Sequence, residues 1–225
     1  MCMSNMKNLF YELIGTFLLV FIGTGSIILN QEMNGALGIQ GIALSFGLAI
    51  ALAIILFGKR SGAHINPAVT TGLVLMNAFS RKKLIPYILS QTAGAVIASF
   101  CLKLIYPHNN HLGITIPRGS VLESFVIEFA MTFTLMILVL FSTKIKDRKY
   151  LFGPALLIGI GIVPLIVYSG PISGGSFNPS RSIGPAIASG NYNALWIYIV
   201  ATTLGAILAV FVWQKINRNT KALKV

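Results

Sequence analysis

The chain has 225 residues, of which 55% are hydrophobic and only 10% charged, and it carries a formal net charge of +12. That composition excludes an ordinary soluble domain and points to a polytopic membrane protein. The excess positive charge is read as lysine and arginine crowding cytoplasmic loops; no basic-aromatic stretch resembles a nucleic-acid module, so no nucleic-acid partner is expected.

Hydropathy places the first span at about Leu9–Leu29. Lys7 followed by an apolar run resembles a signal peptide, but the run reaches about 20 residues, holds Glu12 and lacks a small-residue cleavage site. Further spans are expected at Gln40–Phe57, Leu84–Tyr106, Val121–Thr143, Phe152–Ser169 and Ala194–Trp213. Two short segments, Pro67–Met76 and Pro179–Ala188, are helical in pattern but far below the about 20 residues a crossing needs.

A repeated motif leads into each short segment, Ser61 to Thr70 (SGAHINPAVT) and Ser173 to Ser182 (SGGSFNPSRS). Pro67 and Pro179 suit the first helical position, where a missing N–H costs nothing, and Asn66 and Asn178 then sit at the N-caps. The stretches before them, Gly62-Ala63-His64-Ile65 and Gly174-Gly175-Ser176-Phe177, are expected to be extended and to offer backbone carbonyls to a lumen. The rest of the chain repeats as well: Glu12 and Thr16 match Glu128 and Thr132, and Gly94-Ala95 matches Gly205-Ala206.

Three spans per half is an odd number, so the second half enters the bilayer inverted. The expected architecture is all-α: six transmembrane helices plus two re-entrant half-helices in an inverted 3+3 repeat. It forms one channel domain over 1–225, with repeats at about 7–106 and 119–216. With both termini in the cytoplasm, the inside segments hold Lys7, Lys59, Arg60, Arg81, Lys82, Lys83, Lys144, Lys146, Arg148, Lys149, Lys215, Arg218, Lys221 and Lys224. Only Lys103, Arg118 and Arg181 remain, and the two half-helices face each other with their N-termini.

Those termini create a positive region at mid-membrane, and the amides of Asn66 and Asn178 can both donate to a passing oxygen. Arg181 near the outer mouth adds a charged donor that repels cations. Glu12 and Glu128 are each expected to hold loop N–H groups of their own half; a proton relay is the alternative. Gly15, Gly23, Gly47, Gly94, Gly159, Gly161 and Gly205 are read as close helix contacts. His108 and His111 belong to a solvated outer loop with nothing to complete a metal site, and Cys2 and Cys101 are not expected to pair. No catalytic constellation, metal or cofactor is expected.

These motifs resemble the aquaporin and glycerol-facilitator superfamily, the major intrinsic proteins, over almost the whole chain. The resemblance rests on Glu12/Thr16, Glu128/Thr132, residues 61–70, Gln91 with Gly94-Ala95, and Ser176-Phe177-Asn178-Pro179-Ser180-Arg181-Ser182. It implies a homotetramer in lipid, one pore per chain, and an outer selectivity filter of Phe46, Ile166, Gly175 and Arg181. Narrow water pores usually carry histidine and a small polar residue where this chain has Ile166 and Gly175, so a wider and greasier opening is implied. Such a filter, together with residues 170–174 and 196–199, is similar to the nodulin-26-like branch and its bacterial relatives, associated with glycerol, arsenite, boric acid and some water.

The chain departs from the pattern at Ser180, where alanine is usual, at Thr202, where proline is frequent, and at Lys59-Arg60, which suggest a narrowed or charged inner vestibule. The expected function is passive transport of water and small uncharged solutes with exclusion of ions and protons, in the plasma or bacterial inner membrane. A strictly water-selective pore and a proton- or ion-coupled transporter are the alternatives.

Overall fold

A computed structural model describes residues 2–145 and 151–222, with side chains from 6 to 217. Lys146, Arg148, Lys149 and Lys224 lie outside the described residues, as do the side chains of Cys2, Arg218 and Lys221. Eight α-helices form among the described residues: α1 Cys2–Glu32, α2 Gly38–Ser61, α3 Pro67–Leu75, α4 Leu84–Ile105, α5 Val121–Ser142, α6 Phe152–Ser173, α7 Pro179–Ser189 and α8 Leu195–Ala222. Six of them are long and apolar enough to cross a membrane; α3 and α7 are the two half-helices.

Several helices run past the expected ends, α1 among them, which spans Cys2–Glu32 rather than Leu9–Leu29. Where Phe57 and Ser169 were the expected ends, α2 continues to Ser61 and α6 to Ser173, the latter through Pro171. Both stop by one device: Gly62 and Gly174 turn left-handed, and their N–H groups close onto Gly58 O and Gly170 O at 3.0 and 3.1 Å. At the chain's end, α8 continues beyond Trp213 to Ala222.

In each half the first and third long helices pack together, α1 on α4 and α5 on α8, and α2 meets α6 across the halves. The half-helices cross over: α3 lies mainly against α8 and α7 mainly against α4. Glycine makes the closest approaches possible. A Cβ on Gly94 would run into Leu13 O and lie 3.1 Å from Phe17 N, and one on Gly205 would run into Phe129 O and lie 3.1 Å from Phe133 N. Backbone oxygens cannot step aside as a side-chain tip can. Gly47 and Gly159 press against each other's backbone in the same way where α2 crosses α6.

The largest apolar cluster, built on Phe46, Ile50 and Ile54 of α2 and Ile158, Ile162 and Ile166 of α6, closes around Ile65 and Phe177 of the two loops. Leucine and isoleucine also point outward along every long helix, as lipid-facing surface requires (Leu44, Leu89, Leu122, Ile160 and Leu204 are examples). Gly94→Ala and Gly205→Ala should each cost about 1–3 kcal/mol through overpacking. Thermal unfolding in detergent, followed by loss of the monodisperse peak, checks this. Gly25→Ala should cost less, because its nearest neighbour is the flexible Leu102 Cδ2 at 3.2 Å.

Candidate functional site: a polar seam through the bundle

Each half-helix starts after a buried non-helical loop, whose backbone groups must be satisfied inside the bundle. Glu12, fully buried on α1, accepts His64 N at 3.0 Å and Ile65 N at 2.7 Å. Glu128, fully buried on α5, accepts Ser176 N and Phe177 N, both at 2.9 Å, and Ser173 Oγ at 2.7 Å. Gln91 Nε2 secures Glu12 at 2.8 Å and reaches Thr70 Oγ1 at 3.0 Å. The halves agree further out: Tyr87 Oη donates to Ser61 O at 2.9 Å and Tyr198 Oη to Ser173 O at 2.7 Å. The sequence reading missed both tyrosines and both serines as site residues, although Ser61 and Ser173 open the two motif copies.

The loops are not extended as expected. Gly62, Ala63 and Ile65 adopt positive φ of 96°, 45° and 45°, and Gly174, Gly175 and Phe177 repeat the pattern at 88°, 61° and 55°. A β-branched residue such as Ile65 enters that region only under constraint, at a cost of about 1–3 kcal/mol. The buried carboxyl groups supply the constraint, since each gathers two consecutive N–H groups to one side and leaves the carbonyls pointing away.

Asn66 Oδ1 accepts Ala68 N at 2.9 Å and Asn178 Oδ1 accepts Ser180 N at 3.0 Å, so both asparagines cap as expected. Their amide nitrogens reach across the halves, Asn66 Nδ2 to Phe177 O and Asn178 Nδ2 to Ile65 O, each at 2.8 Å. The N-termini of α3 and α7 therefore meet. An amide nitrogen has two donors, and the second on each has no partner among the described residues.

A cavity of about 250 Å³ runs beside them. Its wall is largely aliphatic, with Ile50, Val69, Leu135 and Ile158 among its members. Its polar side is a seam of the two asparagines, loop residues 62–65 and 175–177, and Arg181. At one end lie Gly58, Ser142, Thr143 and Leu151. Beyond the other end lies a second cavity of about 270 Å³, bounded by Gln31, His111, Arg118 and Gly174. Phe46, Ile166 and Gly175 line both cavities and so stand where the two adjoin.

Arg181, 1% exposed, is held beside that junction by Nη1 donating to Gly113 O at 2.8 Å, with its guanidinium 5.2 Å from the Phe46 ring centre. Its Nε and Nη2 have no hydrogen-bond partner among the described residues. The 111–118 loop thus supplies a carbonyl that sequence reasoning did not find.

The departures from the family pattern resolve differently. Ser180 is buried and faces α4, with its Oγ 3.0 Å from Thr92 Oγ1, and lines neither cavity. Thr202 bonds back to Tyr198 O at 2.7 Å. Lys59 and Arg60 are both exposed and do not line the cavity, and Arg60 lies over the Tyr11 ring at 5.0 Å. Helical phase explains this, because Gly58 turns one face of the last turn of α2 to the lumen and its successors turn outward. His108 and His111 are exposed, and no group of metal-ligating side chains occurs among the described residues.

This geometry has close counterparts among known proteins. The X-ray structure of the aquaglyceroporin from Plasmodium falciparum superposes with a TM-score of 0.88 at 25% identity, covering 97% of this chain and 99% of that one. Aquaporin NIP1-1 of Zea mays is 36% identical over 220 residues, covering 97% of this chain and 77% of the relative. Nodulin-26 of Glycine max is 33% identical over 219 residues, covering 97% of this chain and 80% of the relative. The model of the major intrinsic protein family matches residues 2–213, and with two capped half-helices meeting inside six spanning helices, the chain belongs to that family.

Proposed function

We infer that this multi-pass membrane protein is a passive channel, not an enzyme, for water and small uncharged solutes such as glycerol. The observation that carries this reading is the seam: free donors of Asn66, Asn178 and Arg181 opposite an aliphatic wall, in one cavity. A hydroxyl-bearing solute meets donors and acceptors in sequence there, while its carbon side meets isoleucine and leucine. A cation loses hydration beside two helix N-termini and a guanidinium, so ions and protons are excluded.

We assign the central constriction to Asn66 and Asn178, set by Pro67 and Pro179, and the outer filter to Phe46, Ile166, Gly175 and Arg181. Loop residues Gly62, Ala63, His64, Gly174 and Ser176 line the route by their backbone. The filter's support is its position at the junction of the two cavities. Ile166 and Gly175 leave it wide and apolar, which favours glycerol and metalloid hydroxides such as arsenite and boric acid beside water. A single channel domain of two inverted repeats, a homotetrameric assembly and cytoplasmic termini in a plasma or bacterial inner membrane complete the proposal. The terminal and loop cations support that orientation.

Glu12 and Glu128 act as structural acids. Each already carries backbone donors on both oxygens, which leaves no role as a relay that exchanges partners.

Stopped-flow light scattering of proteoliposomes under water, glycerol and boric acid gradients tests the function. Unmutated protein should pass all three, and accumulation against a gradient when a proton gradient is imposed would remove the channel reading. Ile166→His should lower glycerol and boric acid flux by about tenfold with a smaller loss of water flux, since it narrows and polarises the opening. Glu12→Ala or Glu128→Ala orphans two buried N–H groups at about 1–3 kcal/mol each and should lower the thermal midpoint in detergent by several degrees.

A further inference from the structure

Phe46 has an unusual seat. A Cβ on Gly23 of α1 would overlap ring atoms Cδ1, Cε1 and Cζ of Phe46, the last at 2.6 Å. The ring thus lies flat in a notch that α1 leaves by having no side chain at residue 23. Gly23 itself lines neither cavity. The opposite side of the ring is the passage, because Phe46 borders both cavities.

The next residue of α1 fixes the facing wall. Thr24 turns its hydroxyl onto Val20 O and presents its Cβ to the outer loop. There Gly113 packs so tightly, at φ +67°, that a Cβ on it would sit 2.9 Å from Thr24 Cβ. Gly113 O is the acceptor that holds Arg181. Thr24 thus backs the carbonyl that anchors the guanidinium.

We propose that Gly23 is a positioning residue that sets the width of the outer constriction through Phe46. Ordinary carbon contact is about 3.5–4.0 Å, so any side chain at residue 23 displaces the ring by about 1 Å or more. The displacement carries the ring into the passage where the two cavities adjoin. Solute selection then depends on a residue that no solute touches. The inference rests on the reading of Phe46 and Arg181 as walls of the filter, and its test separates the two.

Four proteins are compared in proteoliposomes: unmutated, Gly23→Ala, Phe46→Ala, and the double variant. Gly23→Ala should lower glycerol permeability by about tenfold and water permeability by less than about threefold. In the Phe46→Ala background the same change should leave the glycerol-to-water ratio within about twofold, because no ring remains to be displaced.

If Phe46→Ala alters the ratio but Gly23→Ala does not, the positioning role is overturned and the filter stands. If Phe46→Ala leaves the ratio unchanged, the filter assignment fails and takes this proposal with it. Should Gly23→Ala not fold, recovery of folded protein in the double variant with the ratio of Phe46→Ala supports the contact. Failure of Phe46→Ala to recover it overturns the proposal.

Discussion

A half-helix that begins inside an apolar slab leaves backbone donors in its entry loop with no water to receive them, and this protein has two. The buried carboxyl groups of Glu12 and Glu128 answer that demand, each taking two successive N–H groups of its own loop. Most of the site follows from those four bonds. They hold Ala63, Ile65 and Phe177 in a left-handed backbone that those residues would not choose, and the carbonyls of Ile65 and Phe177 become free for the asparagine of the other half. The permeation path is the far side of a solution to a hydrogen-bonding problem.

The two halves solve it alike but not identically. Tyrosine ties the end of the preceding long helix in both, and serine opens both loops. Gln91 reaches Glu12 in the first half, whereas Thr202, the same three residues ahead of the packing glycine, bonds only within its own helix. The second half instead carries a hydroxyl chain, in which Thr115 Oγ1 meets Ser182 Oγ at 2.7 Å and Ser182 Oγ meets Ser176 Oγ at 2.6 Å. That chain binds the outer loop to α7 beside Arg181. The asymmetry lies on the side where the charged donor stands.

Much of this was legible in the sequence because duplication filters noise. A lone Asn-Pro pair says little; two, each preceded by a mid-span glutamate at a similar offset, imply capped half-helices and their supports. Other features needed the folded chain. Nothing in Ala63, Ile65 or Phe177 announces positive φ, since tertiary bonds impose it. Pro171 reads locally as a helix breaker, yet α6 continues through it to a glycine cap. Lys59 and Arg60 belong to the right loop but to the wrong face of their helix, which a boundary error of one turn concealed. The Gly113 carbonyl had no signal, because any residue has one.

The crossing-over of the half-helices has a consequence for biosynthesis. The main berth of α3 is α8, made long after it, while α7 docks on α4, made long before. The amino-terminal half must therefore wait in the bilayer with its re-entrant loop incompletely packed until α8 has been made. Its early partners are Glu12, already in place on α1, and Tyr87 and Gln91 of α4, which together hold the waiting loop. An acid carried on the helix that precedes the loop can serve the nascent protein before it serves the finished one.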